Sequence, residues 1–232
     1  MALETLNKTA AELLGAPPPA RGARDRLIHK AIDLFYRHGF NAVGLDRVLD
    51  EVGVTKTTFY KHFESKDDLM VQALRQRDEW EMQSWNRAVR QIAGDDPCAQ
   101  LLGLLDVLDL WFNDPMYGGC IFINAAAEFP DPNDPVHKVA AEHKRKARDG
   151  FRDLAQAAGA ADPETFADRY AMLFEGTLIM RHVYHRNDAA KMAKVMAEKL
   201  LEEFVPPKPA PDRSTPRPAR RPRRTKQQPA PA

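Results

Sequence analysis

The sequence predicts an all-α fold, and three observations carry that reading. Apolar residues recur at the helical period of about 3.6 through most of the 232 residues. No segment sustains the alternation of polar and apolar residues that marks a half-buried strand. Glycine, proline and Ser or Asp capping residues punctuate the periodic segments.

The elements follow in order. Residues 1–20 read as a short helical piece ending at Pro17-Pro18-Pro19, a flexible N-terminal extension without assigned function. From Arg24 to Gly39, the set Leu27, Ile28, Ala31, Ile32, Leu34 and Phe35 forms one apolar face, and Gly39 is placed to end the helix in a left-handed turn. A short helix over Leu45–Val52 buries Leu45, Val48, Leu49 and Val52, and Gly53 stops it. Thr55 to Phe63 is the next helix. Ser65 caps another that reaches about Ile92, with Asp67 and Asp68 favourable to its dipole. Further helices are expected over Pro97–Phe112, Cys120–Phe129, Val136–Ala158, Asp162 to about His185, and Asn187 to about Phe204. From Pro206 onward the chain is Pro/Arg-rich and lacks the apolar surface to order itself, so a disordered basic tail is expected.

The net charge of +1 hides an asymmetry. Residues 206–232 hold eight Lys/Arg and one acid, and residues 21–66 hold nine and six. Residues 67–205 hold 16 Lys/Arg against 24 acids. Two basic segments around an acidic middle are candidates for polyanion binding. No apolar run approaches the roughly 20 residues of a membrane span, so no membrane partner is expected. A signal peptide is not expected either, since Glu4 and Glu12 interrupt the early apolar residues. Cys98 and Cys120 are expected as reduced thiols in the cytoplasm.

The stretch Gly53–Leu69, GVTKTTFYKHFESKDDL, has two faces. On a wheel of 100° per residue, Phe59 and Phe63 fall together and fold the segment, whereas Thr57, Tyr60 and Lys61 face out. Two short helices joined by a glycine turn have the form of a helix-turn-helix. Threonine, lysine and tyrosine on its free face suit phosphates and base edges.

These residues, Phe40 through Leu69 with Gly53-Val54-Thr55-Lys56-Thr57-Thr58-Phe59-Tyr60-Lys61-His62-Phe63 and Ser65-Lys66-Asp67-Asp68-Leu69, resemble the DNA-binding domain of the TetR family. The segment from Gly118-Gly119-Cys120 through Glu128 and Pro135 to Lys144 also resembles one branch of that family. The resemblance implies an N-terminal helix-turn-helix DNA-binding domain over 21–66 and a helical ligand-binding and dimerisation domain over 67–205. It implies a homodimer that binds a palindromic double-stranded DNA operator, usually as a repressor, and is released by a small-molecule effector. Carried over by position, Thr55, Lys56 and Thr57 approach base edges. Tyr60, His62 and Lys66 meet phosphates, Lys61 shares the exposed face, and Arg47 on the support helix reaches a base or phosphate. One position departs from the pattern: Val43-Gly44 stands where the family carries Ser or Thr before the support helix, so a side-chain phosphate contact is lost.

The body has no comparable motif. Met172, Phe174, Leu178 and Ile179, with Val195, Met196, Leu200 and Leu201, are candidates for the dimer interface. A largely apolar effector is expected, with Trp111, Phe112, Tyr117, Phe122, Phe174 and Met180 as pocket walls and Asn124, Glu128 and His182 as polar contacts. His182 and His185 stand one turn apart but lack a nearby acid, so no metal or other cofactor is expected. Neither G-x-S-x-G, H-E-x-x-H nor a phosphate-cradling glycine loop occurs, so no enzyme is expected. The alternative from another class is a DNA-organising protein of low sequence specificity, using the same heads and the basic tail.

Overall fold

The computed structural model describes residues 9–206, and the expectations for the first eight residues and for the basic tail beyond Pro206 lie outside them. Ten helices and no strand occur among the described residues: α1 (Ala10–Leu14), α2 (Ala23–His38), α3 (Leu45–Val52), α4 (Lys56–Tyr60), α5 (Lys66–Ala93), α6 (Pro97–Phe112), α7 (Ile121–Glu128), α8 (Pro135–Ala157), α9 (Pro163–Tyr184) and α10 (Ala189–Phe204). Their bounds follow local chemistry. Ser65 caps α5 through a bond from the Asp68 N–H, and Asp96 and Asp162 cap α6 and α9 in the same way. Pro97, Pro135 and Pro163 occupy first-turn positions, where the missing N–H costs nothing.

Two expectations are corrected. The helix expected over Thr55–Phe63 closes after Tyr60, and Lys61 and His62 form a turn instead. Phe63 nevertheless stays buried, because its ring stacks on Phe59 at 5.3 Å. Residues 9–20 do not behave as a flexible extension throughout. Thr9 and Glu12 form a reciprocal capping box, and Leu13 and Leu14 of α1 are buried against Ala88, Val89 and Val107.

Helices α2, α3 and α4 form a small head around Leu27, Phe35, Val48, Phe59 and Phe63. The remaining helices form the body. α5, with 28 residues and about 42 Å of length, belongs to both, packing on α2 of the head and on α6 and α8 of the body. One apolar core runs from head to body without a break. α8 packs on α9, and α9 and α10 pack on each other while leaving one side of the pair uncovered. No disulfide joins Cys98 and Cys120, and no described helix is long and apolar enough to cross a membrane.

Candidate DNA-binding face and ligand cavity

The free face of the head is built from its shortest helix. Gly53 adopts the left-handed conformation that closes α3, at φ 71°. The chain then re-enters helix at Thr55, whose hydroxyl oxygen accepts from the Thr58 N–H at 3.2 Å. Phe59 fixes this helix in the core, so Lys56, Thr57, Tyr60, Lys61 and His62 all stand exposed, Tyr60 by 59%. Thr55 is exposed as well, but its hydroxyl already serves as the helix cap. Lys56 donates to Asp46 at 2.8 Å, and that bond raises its pKa. Arg47, also exposed, donates to His38 Nε2 at 2.9 Å. Gly44 opens α3 without a side-chain cap, as its missing hydroxyl requires.

Lys66, expected among the phosphate contacts, is engaged within the head. Its ammonium is partly buried and donates to the Phe40 carbonyl at 2.7 Å; burial lowers its pKa. It secures a turn rather than presenting a free charge.

Glu128, expected in the ligand pocket, works at that same turn. One of its carboxylate oxygens accepts from the Phe40 N–H at 2.9 Å, and the other accepts from the Asn41 N–H at 2.7 Å. The head's turn after α2 is therefore held by the last residue of α7. Gly39 makes the approach possible. It sits at φ 85°, and a Cβ there would lie 2.9 Å from a Glu128 oxygen. Alongside, Phe40 stacks on Phe35 and meets Phe129 edge-on. A second tie joins the Tyr36 hydroxyl, which accepts from the Gly118 N–H at 2.6 Å just before α7. Head and body thus meet through two polar ties on either end of α7.

The body contains a cavity of about 540 Å³ between α5, α6, α8 and α9. Trp111 and Phe174 line it. Phe122 instead lines a smaller hollow of about 310 Å³, and Lys144 borders both. Phe112 is wholly buried in the core. Tyr117 packs against Trp111 and Phe112, under the Arg181 guanidinium, and its buried hydroxyl has no partner among the described residues. Met180 packs on the core, and Asn124 borders neither hollow. His182 is exposed over the Gly119 backbone, away from the cavity. No group of three or more His, Cys, Asp or Glu among the described residues is arranged to hold a metal.

Of the polar groups buried on α5, Glu81 lines the cavity and Asp78 bonds His143, which also lines it; none was expected there. Along the buried side of α5, apolar Leu69, Met70, Ala73 and Leu74 give way to Asp78, Glu81 and Ser84. That change of character, at spacings of three, is the signal that was available. Asp78 accepts from His143 Nδ1 at 2.8 Å and from Lys146 Nζ at 2.5 Å. Burial alone would raise the Asp78 carboxyl, but these bonds and charges outweigh it and hold the pKa below its ordinary value. Arg77 donates to Glu81 at 2.5 Å, and Lys144 donates to both oxygens of Glu175. Burial pushes the Cys120 thiol up, so it stays protonated at the cavity wall.

A solvent-facing helix-turn-helix carried on a helical body defines a DNA-binding regulator. The first 47 of the matched residues, 27–73, fit the model of the bacterial regulatory proteins of the tetR family, and residues 97–197 fit the tetracyclin repressor-like C-terminal domain. The chain belongs to the TetR family of transcriptional regulators. It is similar to the HTH-type transcriptional regulator YjdC of Escherichia coli, 24% identical over 178 residues that cover 77% of this chain and 93% of YjdC. Among solved structures it resembles SCO4454, a TetR-family transcriptional regulator from Streptomyces coelicolor. That likeness has a TM-score of 0.72 and 29% identity, over 79% of this chain and 96% of the other. A putative TetR-type regulator from Streptomyces avermitilis matches with a TM-score of 0.68 and 25% identity, over 79% and 98% of the two chains.

Proposed function

We propose that this regulator is a repressor that binds a palindromic operator as a homodimer and leaves it when a small molecule fills the body cavity. The observation that carries the reading is the pair of ties at Glu128 and Gly118, which join the head's turn and α2 to the element flanking that cavity. Cys120, one residue before α7, lines the cavity, so a ligand there touches the element that holds the head. The effector must prefer the arrangement of α7 that spoils the spacing of two heads; equal affinity for both arrangements shifts nothing.

On the head, Thr57 and Lys56 read base edges, and Tyr60, Lys61 and His62 hold phosphates. Lys56 exchanges Asp46 for DNA, and Arg47 releases His38 to reach it. The partner copy covers α9 and α10. Met172, Ile179 and Val183 on α9, with Met192, Val195 and Met196 on α10, are large, apolar and at least 40% exposed. Leu178 and Leu201, expected there too, belong to the core, and Phe174 belongs to the cavity. The protein acts in the cytoplasm, where its operator is.

Selection of bound sequences from random duplex DNA tests the reading. A two-fold symmetric motif with half-sites about one helical turn apart, or a multiple of it, is expected. An asymmetric motif would remove the homodimeric operator. A specific to non-specific affinity ratio well below about a thousand would favour the DNA-organising alternative.

A further inference from the structure

The cavity's own chemistry narrows the ligand beyond a largely apolar molecule. Its walls are rings: Trp85 meets Trp111 and Phe174 edge-on at 6.0 and 6.1 Å, and Phe151 lies 5.4 Å from Phe174. All four line the cavity. Rings in such arrangements present faces and edges that complement a flat aromatic guest.

The charged groups at the cavity are matched inside the protein. Glu81 is neutralised by Arg77, and Lys144 is held by both oxygens of Glu175. Arg90 and Asp153, of opposite sign, are exposed. A ligand with net charge therefore finds no uncompensated counter-ion in the buried part, and its desolvation would go unrewarded.

One polar pair is left open. His143 and Glu81 are 8% and 9% exposed, and both line the cavity. His143 lies flat on Phe122 at 3.7 Å, which fixes the ring plane. Its Nδ1 donates to Asp78 at 2.8 Å. Its Nε2 lies 4.0 Å from Glu81 Oε2, too far for a hydrogen bond, and the Arg77 bond goes to the other Glu81 oxygen. The Glu81 oxygen that Arg77 does not take can accept from a donor in the cavity.

We infer that the cavity takes a neutral planar aromatic molecule whose polar edge is a hydrogen-bond donor, a hydroxyl or amino group, seated between Glu81 and His143. This rests on the reading of the cavity as the effector site. A donor heavy atom about 2.8 Å from that Glu81 oxygen makes a hydrogen bond, with the ring system lying among Trp85, Trp111 and Phe174.

Calorimetric titration of the full chain with 2-naphthol, 2-methoxynaphthalene and 2-naphthoate tests it. The ether keeps the ring and the oxygen but removes the donor; the carboxylate adds charge. Naphthol should bind about ten- to hundredfold more tightly than the ether, the range expected for a hydrogen bond to a charged, buried acceptor. Naphthoate should bind more weakly than naphthol. Glu81→Leu should bring naphthol close to the ether while leaving the ether's own affinity in place. Should that variant not fold, the ratio in the unaltered chain decides alone. Equal binding of naphthol and ether, preference for naphthoate, or no binding of naphthol at millimolar concentration overturns the donor site. The same titrations with operator-bound protein separate the two readings. Naphthol that binds in the cavity yet leaves the operator occupied keeps the donor site and removes its effector role. An ether that binds equally and releases DNA does the reverse.

Discussion

In the head, the groups proposed to meet DNA stand, Arg47 of α3 apart, on one exposed side of a five-residue helix and the turn after it. In the body, the groups that line the cavity come from four helices and from Cys120 just before α7, and lie between Glu81 and Leu178 in sequence. A surface site on one short helix needs only a stable platform, and Phe59 and Phe63 supply it. An internal site exists only after distant helices have packed, so its polar members must be satisfied while the protein folds. The exposed residues of α4 and its following turn can therefore be altered with effects mainly on binding. In the body, chemistry and stability share the same side chains.

The largest test breaks the body from outside. Met196→Glu places a charge on the apolar face of α10, which is exposed in the single chain. Sedimentation should show monomer at concentrations where the unaltered chain is dimeric. Specific operator affinity should fall by about a hundredfold or more, because one head reads only a half-site. An unchanged dimer would move the interface away from α9 and α10.

The second test strikes the inside. Asp78→Ala leaves His143 and Lys146 without their carboxylate, and a loss of about 3–5 kcal/mol is expected when one member of a buried pair is removed. Urea denaturation at neutral pH measures it. The folded Asp78 carboxyl has a depressed pKa, so its stabilising contribution is complete above the ordinary value of about 3.9 and fades as pH falls below it. The gap between variant and parent should consequently narrow in acid. A gap that stays constant from neutral pH down to about 3 would mean that Asp78 matters by shape and not by charge.

A third, smaller effect lies where the two regions meet. Glu128→Ala removes both carboxylate bonds to the Phe40 and Asn41 amides. The core contacts of Phe40 with Phe35 and Phe129 remain, so the head should still fold. Operator affinity should drop by about tenfold, equivalent to one or two net hydrogen bonds, with the preferred sequence unchanged. Effector-driven release should weaken with it. Altered sequence preference would place Glu128 in head geometry instead of in coupling.

This contrast also explains what could be read from the sequence. The head was readable down to the role of Gly53 and the inward pair Phe59 and Phe63, because each depends on neighbours within about ten residues. Helix bounds in the body were readable too, since Asp96-Pro97 and Asp162-Pro163 declare a helix start locally. Cavity membership was not. Phe112 and Trp111 are adjacent aromatics on α6, yet one is sealed in the core and the other lines the cavity. Only the placement of α5 and α8 distinguishes them. Glu128 was assigned to the ligand for the same reason: its partners, Phe40 and Asn41, are 88 and 87 residues away. Lys66 looked like a phosphate contact because its charge shows in sequence and its bond to the Phe40 carbonyl does not.

Within the head, Tyr60→Phe and Thr57→Ala should separate holding from reading. Loss of the exposed Tyr60 hydroxyl should weaken every operator variant by a similar factor of a few. Loss of the Thr57 side chain should change which base is preferred, with a discrimination of about 1–3 kcal/mol at that position. Competition binding across operator variants at fixed salt distinguishes the two, and a Tyr60→Phe effect that depends on sequence would exchange their roles.

The smallest effect is a gain. Gly44 lies in extended backbone at φ −74° and ψ 156°, which any residue adopts, and no atom stands within 4 Å of where its Cβ would be. Gly44→Ser therefore meets no strain or clash. Its hydroxyl oxygen can accept from the second or third N–H of α3, improving on glycine by a few tenths of a kcal/mol. The same hydroxyl can donate to a phosphate approaching the N-terminus of α3, where the helix dipole already favours an anion. Thermal unfolding should rise slightly, and operator affinity should rise about two- to fivefold with the selected motif unchanged. A rise in stability without a rise in affinity would show that the DNA backbone does not pass Gly44, and the head would then sit on its operator differently from the face that Thr57 and Tyr60 define.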